Sequence, residues 1–411
     1  MRVLEPAPLE TALATVLARR LAPDAARPLA VGLSGGGDSL ALLLLVHGWA
    51  RDAGRQLVVL TVDHGLRAES AIWTEQCRAT AERLGHRFKV VTWEAEKPVT
   101  GLPAAARRAR HRLLAQATRE VGASVLLLGH TADDILEAHA MRQVGSTTPD
   151  PREWAPSPAW PDGRGVFLLR PLLGVRRAAL REWLAARGQR WIEDPANDDL
   201  RYARSRARRL GVKGDAAVER DEVLALAGQA TEAFGVITLP RNTLRRAQPH
   251  QAARFVRLAA VCAGGGDRLP AANSAERLAT RLRGPGDVVA SLAGSRVTGC
   301  DATAEILREG GEAGRGGLLP IVSCGGEVVW DGRFLIADAE AVVQRLFGLV
   351  RRLPSDQRRA VSALPAAARG GLPAIIGLSG EVSCPLFDGR AKSLVGQRFA
   401  AAAGRIDREP D

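Results

Sequence analysis

Lysine is almost absent from this chain: Lys89, Lys97, Lys213 and Lys392 are the only four among 57 basic residues, so arginine carries the positive charge. Cysteine is sparse, and Cys77, Cys262, Cys300, Cys324 and Cys384 form no C-x-x-C pair. That spacing speaks against a disulfide framework, a structural zinc and a cysteine-held iron–sulfur cluster. Long apolar runs are missing as well. The longest, Leu40–Val46, falls far short of the roughly 20 residues of a membrane span. The opening segment carries acidic residues and lacks an apolar stretch of signal-peptide length. A cytoplasmic protein without a membrane partner is expected. The chain also has no G-x-x-x-x-G-K-[ST] phosphate loop and no evident internal repeat.

What is present is a globular composition. The 411 residues are 46% hydrophobic and 25% charged, which predicts two or three domains with a substantial core. The net charge is +12. A GC-rich genome accounts for the choice of Arg over Lys but does not require a positive surplus. The surplus favours a polyanionic partner, nucleic acid first.

The first third alternates short apolar runs with amphipathic segments. Strands are predicted at Leu29–Leu33, Leu57–Val62, Phe88–Trp93 and Val125–Leu128. Helices are predicted from the glycine loop to Gly54 and over Ser70–Leu84, Pro103–Val121 and Ala132–Arg142. Such alternation implies an α/β fold, a doubly wound parallel sheet covered on both faces. The Pro-rich stretch Thr147–Gly165 reads as a long loop, followed by a strand at Val166–Leu169 and a helix at Arg176–Arg187. A catalytic domain over 1–210 is expected to end in a basic segment, with a linker at Gly211–Asp215. Residues 217–309 read as mostly helical, with a possible strand at Ser295–Cys300. The Gly-rich run Gly310–Gly317 precedes a small mixed domain over 318–411.

In doubly wound sheets ligands bind beyond the carboxyl ends of the strands. Three unusual polar clusters fall there: Ser34–Ser39 after the first strand, Asp63-His64-Gly65 after the second, and Gly129–Asp134 after the fourth. In the first, Gly35, Gly36 and Gly37 allow a sharp turn and close approach to an anion. Helix-start N–H groups point at that anion, and Ser34 and Ser39 add hydroxyls. Asp38 is the informative residue, because a carboxylate among phosphate ligands implies a cation such as Mg²⁺. Asp133 and Asp134 stand four and three residues before Glu137, so the three carboxylates can share a helix face. Ordinary compensation of the helix dipole is the bland alternative. Beside phosphates, a metal or an amine substrate explains them better. Tyr202, Arg204, Arg206 and Arg208 follow the acidic turn Glu193-Asp194-Pro195. Forked guanidinium donors suit phosphate and can stack on bases, although a charge run is more often a solvated surface.

The pattern S-G-G-x-D-S after the first strand resembles the PP-loop of the N-type ATP pyrophosphatases. With Val62–Ser70, Ala106–Leu114, Leu128–Arg142, Leu168–Arg177 and Trp191–Arg208, the chain resembles the tRNA(Ile)-lysidine synthetase family over most of residues 28–209. The resemblance implies an ATP-dependent ligase. It would adenylate the wobble cytidine of the CAU anticodon of tRNA(Ile) and join free lysine to it, with Mg²⁺ as cofactor. Carried over, Ser34–Ser39, Asp63, His64 and Gly129 bind ATP. Asp133, Asp134 and Glu137 bind lysine, and Asp38 and Asp134 hold the metal. Asp38, Arg110, His130 and Asp133 serve the chemistry, and Tyr202, Arg204, Arg206 and Arg208 touch tRNA. Three alternatives stay open: Asp63 as a turn stabiliser, Arg110 on a solvated helix face, and His130 as a packed turn residue. A PP-loop thiolase and an inactive tRNA-binding relative are the competing functions. Thr131 and His111 depart from the family pattern, where His and Tyr are common.

Overall fold

The apolar runs of the first third become the strands of one sheet. In the computed structural model, which describes residues 8–22, 24–66, 69–143, 150–193, 223–337 and 340–410, they are β1 (Leu29–Gly32), β2 (Leu57–Asp63), β3 (Arg87–Thr92), β4 (Val125–Leu127), β5 (Trp154–Pro156) and β6 (Phe167–Leu169). The order is β3-β2-β1-β4-β6-β5. Every pairing is parallel except β5 with β6. Strands β1, β4 and β6 are buried throughout, as a sheet covered on both faces requires. The helices that cover it are α1 (Leu9–Arg20), α2 (Gly37–Asp52), α3 (Ser70–Arg83), α4 (Leu102–Glu120), α5 (Ala132–Gln143) and α6 (Arg177–Ala185).

One feature of the order matters for function. The chain runs outward from β1 to β2 and β3, then crosses back to place β4 on the other side of β1. The crevice between β1 and β4 is therefore a topological switch point, the usual ligand position in such sheets. The glycine loop and the segment Gly129–Asp134 flank it.

The Pro-rich stretch is not wholly a loop. Trp154–Pro156 forms an antiparallel edge strand, with Trp154 stacked on Phe167 at 5.0 Å between ring centres. Proline at the end of this edge strand leaves no ladder donor wasted, which is why a Pro-rich sequence can pair here.

The chain divides into two compact units, Met1–Glu219 with Ile406–Asp411, and Arg220–Arg405. Within the first unit the tail is anchored tightly. Arg55 Nη2 donates to Glu409 Oε1 at 2.9 Å, with both side chains buried, and Trp154 Nε1 donates to the Ile406 carbonyl at 2.8 Å.

The second unit carries the helices expected of residues 217–309, chiefly Pro249–Gly264 and Ala272–Arg283, and a five-stranded sheet besides. Two of its hairpins turn on Phe234-Gly235 and Ala293-Gly294, all four residues at positive φ. Such turns match strand twist but normally advertise themselves as Asn-Gly or Asp-Gly. That is why only the strand at Ser295–Gly299 was legible. Among the described residues no helix is long and apolar enough to cross a membrane. Tyr202, Arg204, Arg206, Arg208 and the linker Gly211–Asp215 lie outside the described residues.

Candidate active site

The glycine loop is closely packed. Gly35 sits at φ +80°, and a Cβ there would lie 2.2 Å from Ile192 Cδ1. The Gly35 carbonyl accepts from the Ile192 N–H at 2.9 Å, so the segment before Glu193 braces the loop. Ser39 ties the loop from inside. Its hydroxyl donates to the Gly36 carbonyl at 2.9 Å and accepts from the Ser34 N–H at 3.2 Å and the Ser34 hydroxyl at 3.1 Å. Gly36 then caps α2 and Gly37 begins it, leaving helix-start N–H groups for an anion. Gly129 lets the fourth-strand loop press against this turn: a Cβ there would meet the Asp38 carbonyl oxygen at 2.7 Å.

Beside the loop, four carboxylates converge on one arginine. Arg177, the first residue of α6, donates through Nε to Asp38 Oδ2 at 2.8 Å and through Nη1 to Glu137 Oε1 at 2.9 Å. Its Nη2 lies 3.6 Å from Asp134 Oδ2, and its backbone N–H donates to Asp133 Oδ2 at 2.7 Å. Asp133 also accepts from Arg176 Nη2 at 2.9 Å. Asp134 and Glu137 are buried, whereas Asp38 and Asp133 are partly open. Burial pushes the Asp38 carboxyl above its ordinary value; the Arg177 hydrogen bond opposes the rise, and the nearby Asp134 charge adds to it. For Arg177, burial works against the charge but the surrounding carboxylates prevail and hold the guanidinium firmly protonated. Asp134 has a second duty. Its Oδ2 accepts from the Thr131 N–H at 2.8 Å and hydroxyl at 3.0 Å, closing the first turn of α5.

The second-strand loop is held by its own turn. Asp63 does stabilise its own turn, accepting the Gly65 N–H at 2.8 Å. His64 packs edge-on against Trp93 at 6.0 Å, and its buried Nδ1 has no hydrogen-bond partner among the described residues. Burial, then the charge of Arg110, pulls the His64 pKa down. Arg110 is thus close enough to His64 for its charge to be felt there. His111 is half-buried, and burial together with Arg107, Arg110 and Arg170 drops its pKa to about 3. His130 belongs to this cationic side too, because Arg170 Nε donates to its Nδ1 at 3.1 Å. The switch point thus has an acidic wall on α5 and a basic wall from α4 and β6, with the glycine loop between.

A family model described as a PP-loop domain matches residues 9–212. The chain is 45% identical to a tRNA(Ile)-lysidine synthase of Caulobacter vibrioides, over 96% of this chain and 97% of that one. The chain belongs to the tRNA(Ile)-lysidine synthase family. Similar relatives include the synthases of Hyphomonas neptunium, 37% identical over 66% of this chain and 78% of that one, and Brucella ovis, 36% identical over 75% and 74%. With the family comes the class of enzyme, an ATP-dependent ligase.

For a lysidine synthase, the structure adds two residues that sequence reading passed over, Arg170 and Arg177. Both lie in the segment Leu168–Arg177 that carries part of the family resemblance, yet neither stands in a polar cluster after a strand of the first four. The available signal was charge: Arg170, Arg176 and Arg177 stand in an otherwise apolar stretch. Among the described residues no three His, Cys, Asp or Glu side chains are arranged to enclose a metal. A Mg²⁺ ion that takes one or two carboxylates and completes its shell with water and substrate phosphates needs no such cage. The hard oxygens of Asp38 and Asp134, converging beside a phosphate loop, fit that ion.

Proposed function

We propose that this chain adenylates the wobble cytidine of the CAU anticodon of tRNA(Ile) and joins free lysine to it. The observation that carries this reading is the convergence of Asp38, Asp133, Asp134 and Glu137 next to a phosphate loop. Arg177 and Arg176 offset only part of this charge, and the remainder repels ATP unless further cations intervene. Two cations meet the need: Mg²⁺ on Asp38 and Asp134, and the lysine ammonium on Asp133, Asp134 and Glu137.

In this reading the N–H groups at the start of α2 hold the phosphates, and the buried Nδ1 of His64 contributes to the adenosine pocket. The cytidine ring carbonyl oxygen attacks the α-phosphorus, the α–β bridging bond breaks, and pyrophosphate leaves with its electrons. Arg110 and His130 face the phosphate charge. The ε-amine then attacks the ring carbon, the carbon–oxygen bond to AMP breaks, and the amine's proton passes to a carboxylate. Bound Mg²⁺ neutralises phosphate charge. Protein groups supply positioning and fixed charge. Tyr202, Arg204, Arg206 and Arg208 contact the tRNA, and the regions 217–309 and 318–411, most of which form the second unit, recognise its shape.

The test is pyrophosphate release, with transfer of labelled lysine to tRNA measured alongside. Release should require tRNA, and label should enter only tRNA(Ile) with a CAU anticodon. Steady release indifferent to lysine, with no label transferred, would sink the lysine assignment.

A further inference from the structure

Arg170 follows β6 and is buried, with 6% of its surface exposed. Its guanidinium is fixed at both ends. Nη1 donates to the Arg152 carbonyl at 2.7 Å and Nε donates to His130 Nδ1 at 3.1 Å. The backbone beside it is pinned too, since the Arg170 N–H donates to the Glu153 carbonyl at 2.8 Å. The His130 backbone is held as well, because its main-chain N–H donates to the Leu128 carbonyl at 2.9 Å in the turn that leaves β4.

A guanidinium has donors and no acceptor. The imidazole nitrogen facing it must therefore offer a lone pair, and a neutral ring with a bare Nδ1 carries its proton on Nε2. The fixed positive charge beside the ring also opposes a second proton. Burial and the charges of Arg107 and Arg152 work against the Arg170 charge, and Asp134 balances it in part, so the hydrogen bonds to the Arg152 carbonyl and His130 hold the guanidinium in place.

We propose that Arg170 is a positioning residue that locks His130 as the neutral, Nε2-protonated imidazole. His130 then serves as a hydrogen-bond donor to phosphate oxygens of ATP and not as a base. The lock rests on the hydrogen bond alone. The donor role rests on the adenylation reading above, and among a phosphate contact, a contact to the charge developing on the activated base and a packed turn it selects the first for His130.

The nitrogen signals of His130 test the lock directly in the full-length protein, with the resonance identified by its loss in His130→Asn. At neutral pH the wild type should show a protonated Nε2 and a bare Nδ1, and Arg170→Leu should show a tautomer mixture. A wild-type ring protonated on Nδ1 overturns the proposal, whether or not Arg170→Leu folds. A double-mutant cycle on tRNA-dependent pyrophosphate release tests the role. His130→Ala should lose about 100-fold, the scale of a missing oxyanion donor, and Arg170→Leu most of that. The double variant should stay within about threefold of His130→Ala, because Arg170 acts through His130. Arg170→Lys should recover part of the loss. Losses that multiply in the double variant would mean Arg170 acts structurally or on its own, and overturn the positioning role. Wild-type protein with the expected tautomer but no pyrophosphate release overturns the donor role together with the adenylation reading, and the spectrum tells the two failures apart.

Discussion

Arg177 at the start of α6 and Asp38 at the start of α2 are joined by a 2.8 Å hydrogen bond. Two helix N-termini, each favouring negative charge, thus meet through a cation that also reaches Glu137. Removing the guanidinium leaves buried Asp134 and Glu137 facing Asp38 without that counter-charge. Arg177→Met should cost about 3–5 kcal/mol, the usual penalty for breaking a buried pair from one side. Urea unfolding measures it. A midpoint within experimental scatter of the wild type would show that the carboxylates do not depend on Arg177.

His111 gives a pH dependence with a definite sign. Its folded pKa is about 3, against an ordinary value of 6.5. Below pH 6.5 the unfolded chain takes up a proton that the folded chain refuses. The stability is complete above pH 6.5 and is lost as pH falls towards 3, by about 1.4 kcal/mol per unit. His111→Phe should remove that share of the slope between pH 6 and 4. Equal slopes for the two proteins in denaturant titrations would contradict the assignment.

Gly35→Ala should damage the loop for two reasons that can be separated. The positive φ costs about 1–2 kcal/mol for a residue with a Cβ, and the added methyl strikes Ile192 at 2.2 Å. Shortening the neighbour in Gly35→Ala/Ile192→Ala relieves the collision but not the backbone strain. Pyrophosphate release should fall at least tenfold in the single variant and recover only in part in the double. Full recovery would place the whole defect in the collision.

Glu409 is expected to matter for the first unit although it lies 354 residues beyond Arg55. Glu409→Ala strands a buried guanidinium and should cost about 3–5 kcal/mol. Arg55→Leu/Glu409→Leu should recover most of it, since apolar replacements of a buried pair are often neutral. Denaturant unfolding of the four proteins of the cycle decides the matter.

The sheet and its ligand edge were readable because apolar runs and helical periodicity are local signals. So were Ser34–Ser39, Asp63, Gly129 and Asp133–Glu137, each in the loop or helix start after a strand. The unread parts are long-range. Arg177 looks like one basic residue among many until α6 is docked beside α2, and Arg170 until β6 is paired with β4. The edge strand at Trp154–Pro156 was hidden by its prolines. The hairpins at Phe234-Gly235 and Ala293-Gly294 lacked the usual turn residues. Thr131, a departure from the family pattern by sequence, binds Asp134 through both its N–H and its hydroxyl.

The pairing of Arg55 with Glu409 also bears on the order of synthesis. A ribosome delivers the first unit's sheet early, and domains fold as they emerge. Yet the carboxylate that neutralises Arg55 arrives only after the entire second unit has been made. Until then the strand that opens at Leu57 follows a guanidinium lacking its buried partner. The nascent first unit is therefore provisional, and its last ion pair is set only when residue 409 has been translated.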